Sequence, residues 1–553
     1  MRTSSLKSSA AALVVSIAAG TVLYAQAPIC HVAAPTSSAH TPAHLREGVG
    51  RVHMPISTRS AVAQAFFDQG LALLHAFWYY EADRSFAEAA RLDPGCAMAQ
   101  WGIAMADLDD TRRSDALKRA RQLRAGATPR EQLYIDSAEA RARGRRTTVQ
   151  NNPSLGSTPA YRDALRRIVA SYPADAQARL FLALALMDGY RPDGSAGPGT
   201  AEAVSLLRGV LEEHPEDPAA RHYLIHALEA GRPQDAVASA DMYGRLVPGV
   251  GHAVHMPGHV YVHVDRWGDA AAAFERSAAL DRAYMQDEHE TSDHTAGPYA
   301  HNLHFLATVY GYEGRYRDGM RLAAEMMDVG ARPGETTSRA ALEGRYTAVR
   351  LLVRFERWNE ILASAPDEGG FRVVGGWRHF ALGLAHAANG ELPQARDELH
   401  SLRKSVDDLR DENLPLNAPL RGLQLRQALA LAVAPLELEG RILLADGRSD
   451  EALALLRKAL EREKAIGYSE PPLYPHPMEE VLGRALLDLR RWADAGAMFD
   501  AALTRDPGSG RALYGLAKAQ EGAGRADLAR ATLDRFQAAW AHADRDLPEM
   551  RAR

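Results

Sequence analysis

The sequence predicts an all-α protein built as an α-solenoid of about ten helix pairs, and three observations predict it. The first is length: 553 residues exceed what one compact core organises, so several domains or a stacked repeat array are expected. The second is composition: alanine, leucine and arginine dominate, β-branched runs are scarce, and 46% hydrophobic with 24% charged residues is a soluble balance, so helix is the default secondary structure. The third is internal repetition. Gly70, Tyr79, Ala82, Phe86, Ala89 and Pro94 are spaced as Gly483, Trp492, Ala495, Phe499, Ala502 and Pro507 are, and Gly258, Trp267, Ala270 and Phe274 repeat the first four places. A fixed spacing of small and aromatic residues is the mark of helix pairs that bury their apolar faces only against neighbours.

The elements follow in chain order. Arg2 and Lys7 precede an apolar run from Ala10 to Ala25, and Ala25-Gln26-Ala27 has the small-x-small form of a cleavage site, so residues 1–27 read as an export signal. A periplasmic or secreted product is expected. Pro28 is a poor residue directly after a cleavage site, which leaves a shifted site or a retained anchor as alternatives. No later run is long enough to span a membrane. Residues 28–60, rich in Pro, Ser, Ala and His, read as a flexible tether. Helical periodicity then divides into N-terminal repeats over 61–248, a histidine-rich centre over 249–340 and C-terminal repeats over 341–545. Polar or proline-rich breaks interrupt it at 144–160, 191–200, 287–298, 411–420 and 469–477. Two cysteines, Cys30 and Cys96, are too few for a thiolate metal cluster; their pairing is left open. With 65 basic and 70 acidic residues, no basic face marks a nucleic-acid partner.

The spacing resembles the tetratricopeptide repeat, with its small residue in the first helix, an aromatic near the turn, alanine and phenylalanine in the second helix and a closing proline. It covers roughly 61–545, clearest in the first and C-terminal copies. In that family the first helix of each unit lines a concave groove. The resemblance implies that His252, His255, His259 and His263 take groove positions of one unit, and His301 and His304 those of the next. His222 and His226 fall one residue off the groove set.

Those residues are the chemical signal. Of 21 histidines, 11 lie between His214 and His304. On an ideal helix the four from His252 to His263 fall within a sector of about 80°. Pro257 interrupts them: either the helix is kinked there, or it begins at Pro257 and leaves His252 and His255 on the entering loop. His222 and His226 stand four apart, the spacing that lets two imidazoles of a helix share one ion. Neutral imidazole is the commonest transition-metal ligand. The loop carboxylates Asp287, Glu288, Glu290 and Asp293 would complete such a site, orient its ligands or act as a base, and Tyr223, Tyr261 and Tyr299 stand beside the histidines. A single buried histidine is more often structural, and His75, His379, His386 and His400 are read that way.

The HY-x-IH element at 222–226, the HMP-x-H element at 255–259, the HN-x-HF element at 301–305 and the Glu470-Pro471-Pro472 element together resemble a group of exported bacterial tetratricopeptide-like proteins. That resemblance implies a shared site of His222, His226, His255, His259, His301 and His304, and leaves the place of His263 open. The resulting expectation is a groove that binds a transition metal (copper, zinc or iron) through His222, His226, His252, His255, His259, His301 and His304, in a metal-dependent oxidoreductase or hydrolase. The alternative is a non-catalytic scaffold whose groove holds a peptide or protein partner.

Overall fold

A computed structural model describes residues 42–145, 158–191, 194–290, 292–329, 338–364, 372–409, 421–467 and 469–551. The signal segment, the first part of the tether with Cys30, most of the break at 144–160 and the whole proline-rich stretch at 411–420 lie outside the described residues. Among the described residues the chain is helical, from Ala61–His75 to Pro548–Arg551, and successive helices pack against one another, as the repeats require. No described helix is long and apolar enough to cross a membrane.

The repeated spacing has a direct physical basis. A Cβ on Gly70 would come within 2.7 Å of Phe86, and one on Gly483 within 2.9 Å of Phe499. Gly258 meets Phe274 in the same way. In each pair the glycine lets the phenylalanine sixteen residues on lie against the backbone of the first helix, closing the wedge.

The described chain holds two cores. One runs from Ala43 to Ala340, the other from Tyr316 to Leu547. The first continues across residue 248, where a boundary between repeat groups was expected: Pro218–Leu228 and Gly251–His263 are packed in it together. Within each half, side chains distant in sequence are bonded to one another. In the first half, the Tyr223 hydroxyl lies 2.8 Å from His75 Nδ1, and the Tyr80 hydroxyl donates to Glu290 at 3.0 Å. In the second, the Trp540 indole donates to the Tyr312 carbonyl at 2.7 Å. The histidine-rich wall is buried, with His222, His255, His259 and His301 all enclosed by the packing.

The tether expectation is corrected over residues 42–60. This segment has no regular secondary structure but is not free. Met54 is fully buried, Arg46 pairs with Glu81 and with Glu288, and Ser57 is bonded to Glu131. Its few apolar and basic residues find complementary positions on the first repeat, an attachment that composition alone conceals.

Candidate metal centre

Gly251–His263 is one helix, with Pro257 inside it. The alternative start at Pro257 is thereby excluded. The hydrogen bond that Pro257 cannot donate is offset by packing, since Ala253, Met256, Pro257 and Val260 are all buried. Helix formation is a tertiary effect here, as it is for most helices with a buried face. His252, His255, His259 and His263 do project from that helix, but not into one site. They are dealt out along it to different partners.

The first set is His222, His226 and His252. Pro218–Leu228 starts with Asp217 capping the amide of Ala220 and Pro218 in the first turn, which places His222 and His226 one helical turn apart on its inner face. His222 Nδ1 lies 2.6 Å from the carbonyl oxygen of His75. A carbonyl only accepts, so Nδ1 carries the proton and Nε2 carries the lone pair. His226 Nδ1 faces Glu229 Oε1 at 3.2 Å, which assigns it the same tautomer. The two Nε2 atoms then stand 3.0 Å apart, and His252 Nε2 is 3.2 Å from that of His222. Tetrahedral ligands about 2.0–2.1 Å from zinc are separated by about 3.3 Å, so nitrogens at these spacings could share one ion. Burial, then the neighbouring His226 and His252, hold the His222 pKa well below the ordinary imidazole value. His252 is lowered as well, by burial first and then by His226 and His259. Neutral imidazole is the ligand form.

The second set is His255, His259 and His301. His255 and His259, one turn apart, bring their Nε2 atoms to 2.7 Å. His301 comes from Asp293–Tyr312, the first helix of the next pair. Burial and the adjacent His259 push His255 well down, and burial with Arg339 does so for His301. His259 differs. Burial alone would lower it, but the carboxylates of Glu470 and Glu229 outweigh burial and push it up to about 10. Its Nδ1 lies 3.3 Å from Glu229 Oε2 and in contact with Glu470. In this set a proton can occupy the space between the His255 and His259 nitrogens, and an ion binding there would displace it.

Each set rests on one phenylalanine. Phe77 lies 4.5, 5.3 and 5.6 Å, centroid to centroid, from His222, His226 and His252. Phe305 lies 4.9, 4.5 and 4.7 Å from His255, His259 and His301. Phe77 holds this position with φ of 58°, a left-handed conformation that costs a non-glycine residue about 1–3 kcal/mol. These rings wall one side of each set with hydrocarbon. The sets adjoin: the His252 and His255 rings are 6.0 Å apart.

Of the other expected residues, His304 belongs to neither set. Its ring packs edge-on to Tyr346 at 6.2 Å, and its buried Nε2 makes no hydrogen bond. His263 pairs with Glu470. The loop carboxylates point elsewhere: Glu288 joins Arg46 and Arg84, and Glu290 joins Tyr80 and the Ser292 amide. The side chain of Asp293 lies outside the described residues. Tyr223 bonds His75, Tyr261 bonds Asp241 and Tyr299 bonds Glu325. The carboxylates at the histidines are Glu229 and Glu470, both buried. Sequence reasoning assigned neither a role, although Glu229 sits three residues after His226 on the same face and Glu470 opens the EPP element. Burial raises both acids and the histidine pairs outweigh it, holding each below the usual carboxylate value.

Comparison with known proteins gives the following. Among curated proteins none matches the sequence. In solved structures, the chain is similar to the Cut9–Hcn1 hetero-tetramer of APC/C at 13% identity, covering 89% of this chain and 76% of that one, with a TM-score of 0.29. It is similar to the human IFIT1 dimer with m7Gppp-AAAA at 12% identity, covering 87% and 90%, TM-score 0.32. Yeast Tom70 gives 12% identity over 89% and 93%, TM-score 0.31. Residues 486–542 match the tetratricopeptide repeat family, so the C-terminal units whose spacing first suggested that repeat do carry it.

Proposed function

We propose that this protein is a metal-binding α-solenoid whose N-terminal half encloses a paired transition-metal centre. His222, His226 and His252 hold one ion, and His255, His259 and His301 hold the other. The observation that supports it most is the meeting of three Nε2 atoms in the first set. With both Nδ1 protons of His222 and His226 committed to acceptors, two lone pairs face each other at 3.0 Å. One proton would relieve one such pair; a third nitrogen converging at 3.2 Å calls for a cation that accepts all three.

The donor set narrows the ion. Six imidazoles with the carboxylates held behind them suit copper or zinc better than magnesium or calcium, which take oxygen ligands. Three protein ligands per ion leave a coordination position open, as catalytic sites do and closed structural sites do not. An ion bound there would supply Lewis-acid or redox chemistry. The chain's own contribution is to hold His222, His226 and His259 from behind, through the His75 carbonyl, Glu229 and Glu470, and to exclude water from one side with Phe77 and Phe305. Oxidation or hydrolysis at a metal is the reaction class this supports. Export to the periplasm or beyond fits the leader-like N-terminal sequence.

The test is elemental analysis of untagged protein. About two ions per chain are expected. Chelation should lower the melting temperature, because an ion present at a hundredfold excess over its dissociation constant stabilises by about 2.7 kcal/mol. Substoichiometric metal in every preparation, with no melting shift on chelation, would contradict the proposal.

A second reading concerns the other half. Between its repeats lies a cavity of about 450 Å³ lined by Arg441, Arg484, Trp492, Arg511, Tyr514 and Lys518, among others. Its mixed aromatic and charged lining suits a peptide or protein partner, in keeping with the tetratricopeptide match. A pull-down in which Tyr514→Ala and Arg511→Ala abolish a partner retained by the wild type would establish it.

A further inference from the structure

We propose that Glu229 is a positioning residue shared by both histidine sets, and that its being a carboxylate, not merely a polar group, is what lets the two sets be occupied together. This rests on the metal-binding reading above.

Glu229 stands immediately after Pro218–Leu228, continuing its backbone: its amide bonds the Ile225 carbonyl. The side chain is buried, and its two oxygens are divided. Oε1 faces His226 Nδ1 at 3.2 Å, and Oε2 faces His259 Nδ1 at 3.3 Å. His226 belongs to the first set and His259 to the second. One rigid planar group thus stands behind one ligand of each. A carboxylate accepts at both oxygens, so it can take the Nδ1–H of His226 in a hydrogen bond while facing His259 Nδ1 across an ion-pair contact that the nearer Glu470 shares, and so turn the Nε2 of each ring toward its set. The other acceptors each reach only one of the two sets. The His75 carbonyl serves only His222, and Glu470 serves His259 and His263.

The shared acceptor gives an asymmetric prediction. In Glu229→Gln the volume is kept, but one oxygen becomes an NH2 donor. The amide can accept from His226 or from His259, not from both. Whichever ring faces the NH2 meets donor against donor and turns away from its ligating tautomer. Loss of such a supporting partner lowers metal affinity by about 10–100-fold. One ion should therefore bind Glu229→Gln nearly as it binds the wild type, and the other about 10–100-fold more weakly. In Glu470→Gln only the second set should weaken, and the first should be unaffected.

The experiment is a stepwise titration of metal-free full-length protein with zinc against a competing chelator, repeated with cobalt to read coordination from its visible spectrum. The wild type should take two ions with four-coordinate cobalt spectra. Glu229→Gln should separate the two steps, and Glu229→Asp should recover part of the second. A melting temperature of the metal-free variant close to that of wild type, alongside separated steps, marks positioning and not general loss of packing. Two steps in Glu229→Gln indistinguishable from wild type would overturn the role of Glu229 and leave the paired centre standing. So would equal weakening of both steps with loss of helix, which is what a purely structural carboxylate would give. Wild-type protein that binds neither zinc nor cobalt would overturn both the inference and the reading on which it rests.

Discussion

The two halves of the molecule are built from the same helix pairs yet treat buried histidine in opposite ways. In the C-terminal half, His476 Nε2 lies 3.0 and 2.9 Å from the two oxygens of Glu437, and the Tyr474 hydroxyl donates to the same carboxylate at 2.8 Å. Nothing there asks for another ligand. His75, in the N-terminal half, is likewise settled, with one ring nitrogen 2.8 Å from the Tyr223 hydroxyl and the other 2.7 Å from Gln177. The two three-histidine sets are different. In His222, His226 and His259 the Nδ1 side faces carbonyl or carboxylate, while Nε2 meets Nε2. A histidine buried among complementary partners is part of the frame; histidines whose lone pairs converge are arranged for something that is neither carbonyl nor carboxylate.

That contrast can be broken or sharpened by substitution. The largest effect is expected from His222→Ala, which should abolish one of the two ions while circular dichroism keeps its helical signal, since stacking between repeats carries the fold. Equal metal content in that variant would remove the first set from consideration. His476→Ala should do the reverse. It should leave both ions in place and destabilise the protein by about 3–5 kcal/mol, because it strips the buried Glu437 of a partner; denaturant unfolding would measure this. Gly258→Ala should be intermediate. Its Cβ would press on Phe274, at a cost of about 1–3 kcal/mol for overpacking. Because Phe274 lies 4.8 Å from His255, the second set should weaken and the first should not, a difference that chelator competition would resolve. His304→Ala should be the mildest for metal content, with both ions retained, since His304 stands outside both sets.

The fold was largely legible because the repeat writes its packing into local spacing. Gly70 and Phe86, or Gly483 and Phe499, are sixteen residues apart for a reason that holds in any helix pair. The histidine region was legible as a region for the same reason: His222 and His226, or His255 and His259, are neighbours on a helix turn. Its division into two sets was not. It depends on how the 251–263 helix is placed between its neighbours, so that His252 faces one way along the wall and His255 the other. Pro257 obscured that further, since a helix that survives an internal proline does so through tertiary packing. The supporting groups were hidden for a different reason. The His75 carbonyl is a backbone atom with no sequence signature, and Glu470 reaches His259 from more than two hundred residues away. The acidic loop at 287–298 drew attention by composition, whereas its Glu288 serves to anchor Arg46 and Arg84.

X-ray absorption at the metal edge of the purified protein tests the central claim most directly. The paired centre predicts a first shell dominated by imidazole nitrogen, about three per ion at about 2.0 Å, with the outer-ring scattering of histidine, and loss of half the edge intensity per chain in His222→Ala. A shell of oxygen alone, or an edge intensity unchanged by replacing His222 or His301, would contradict it.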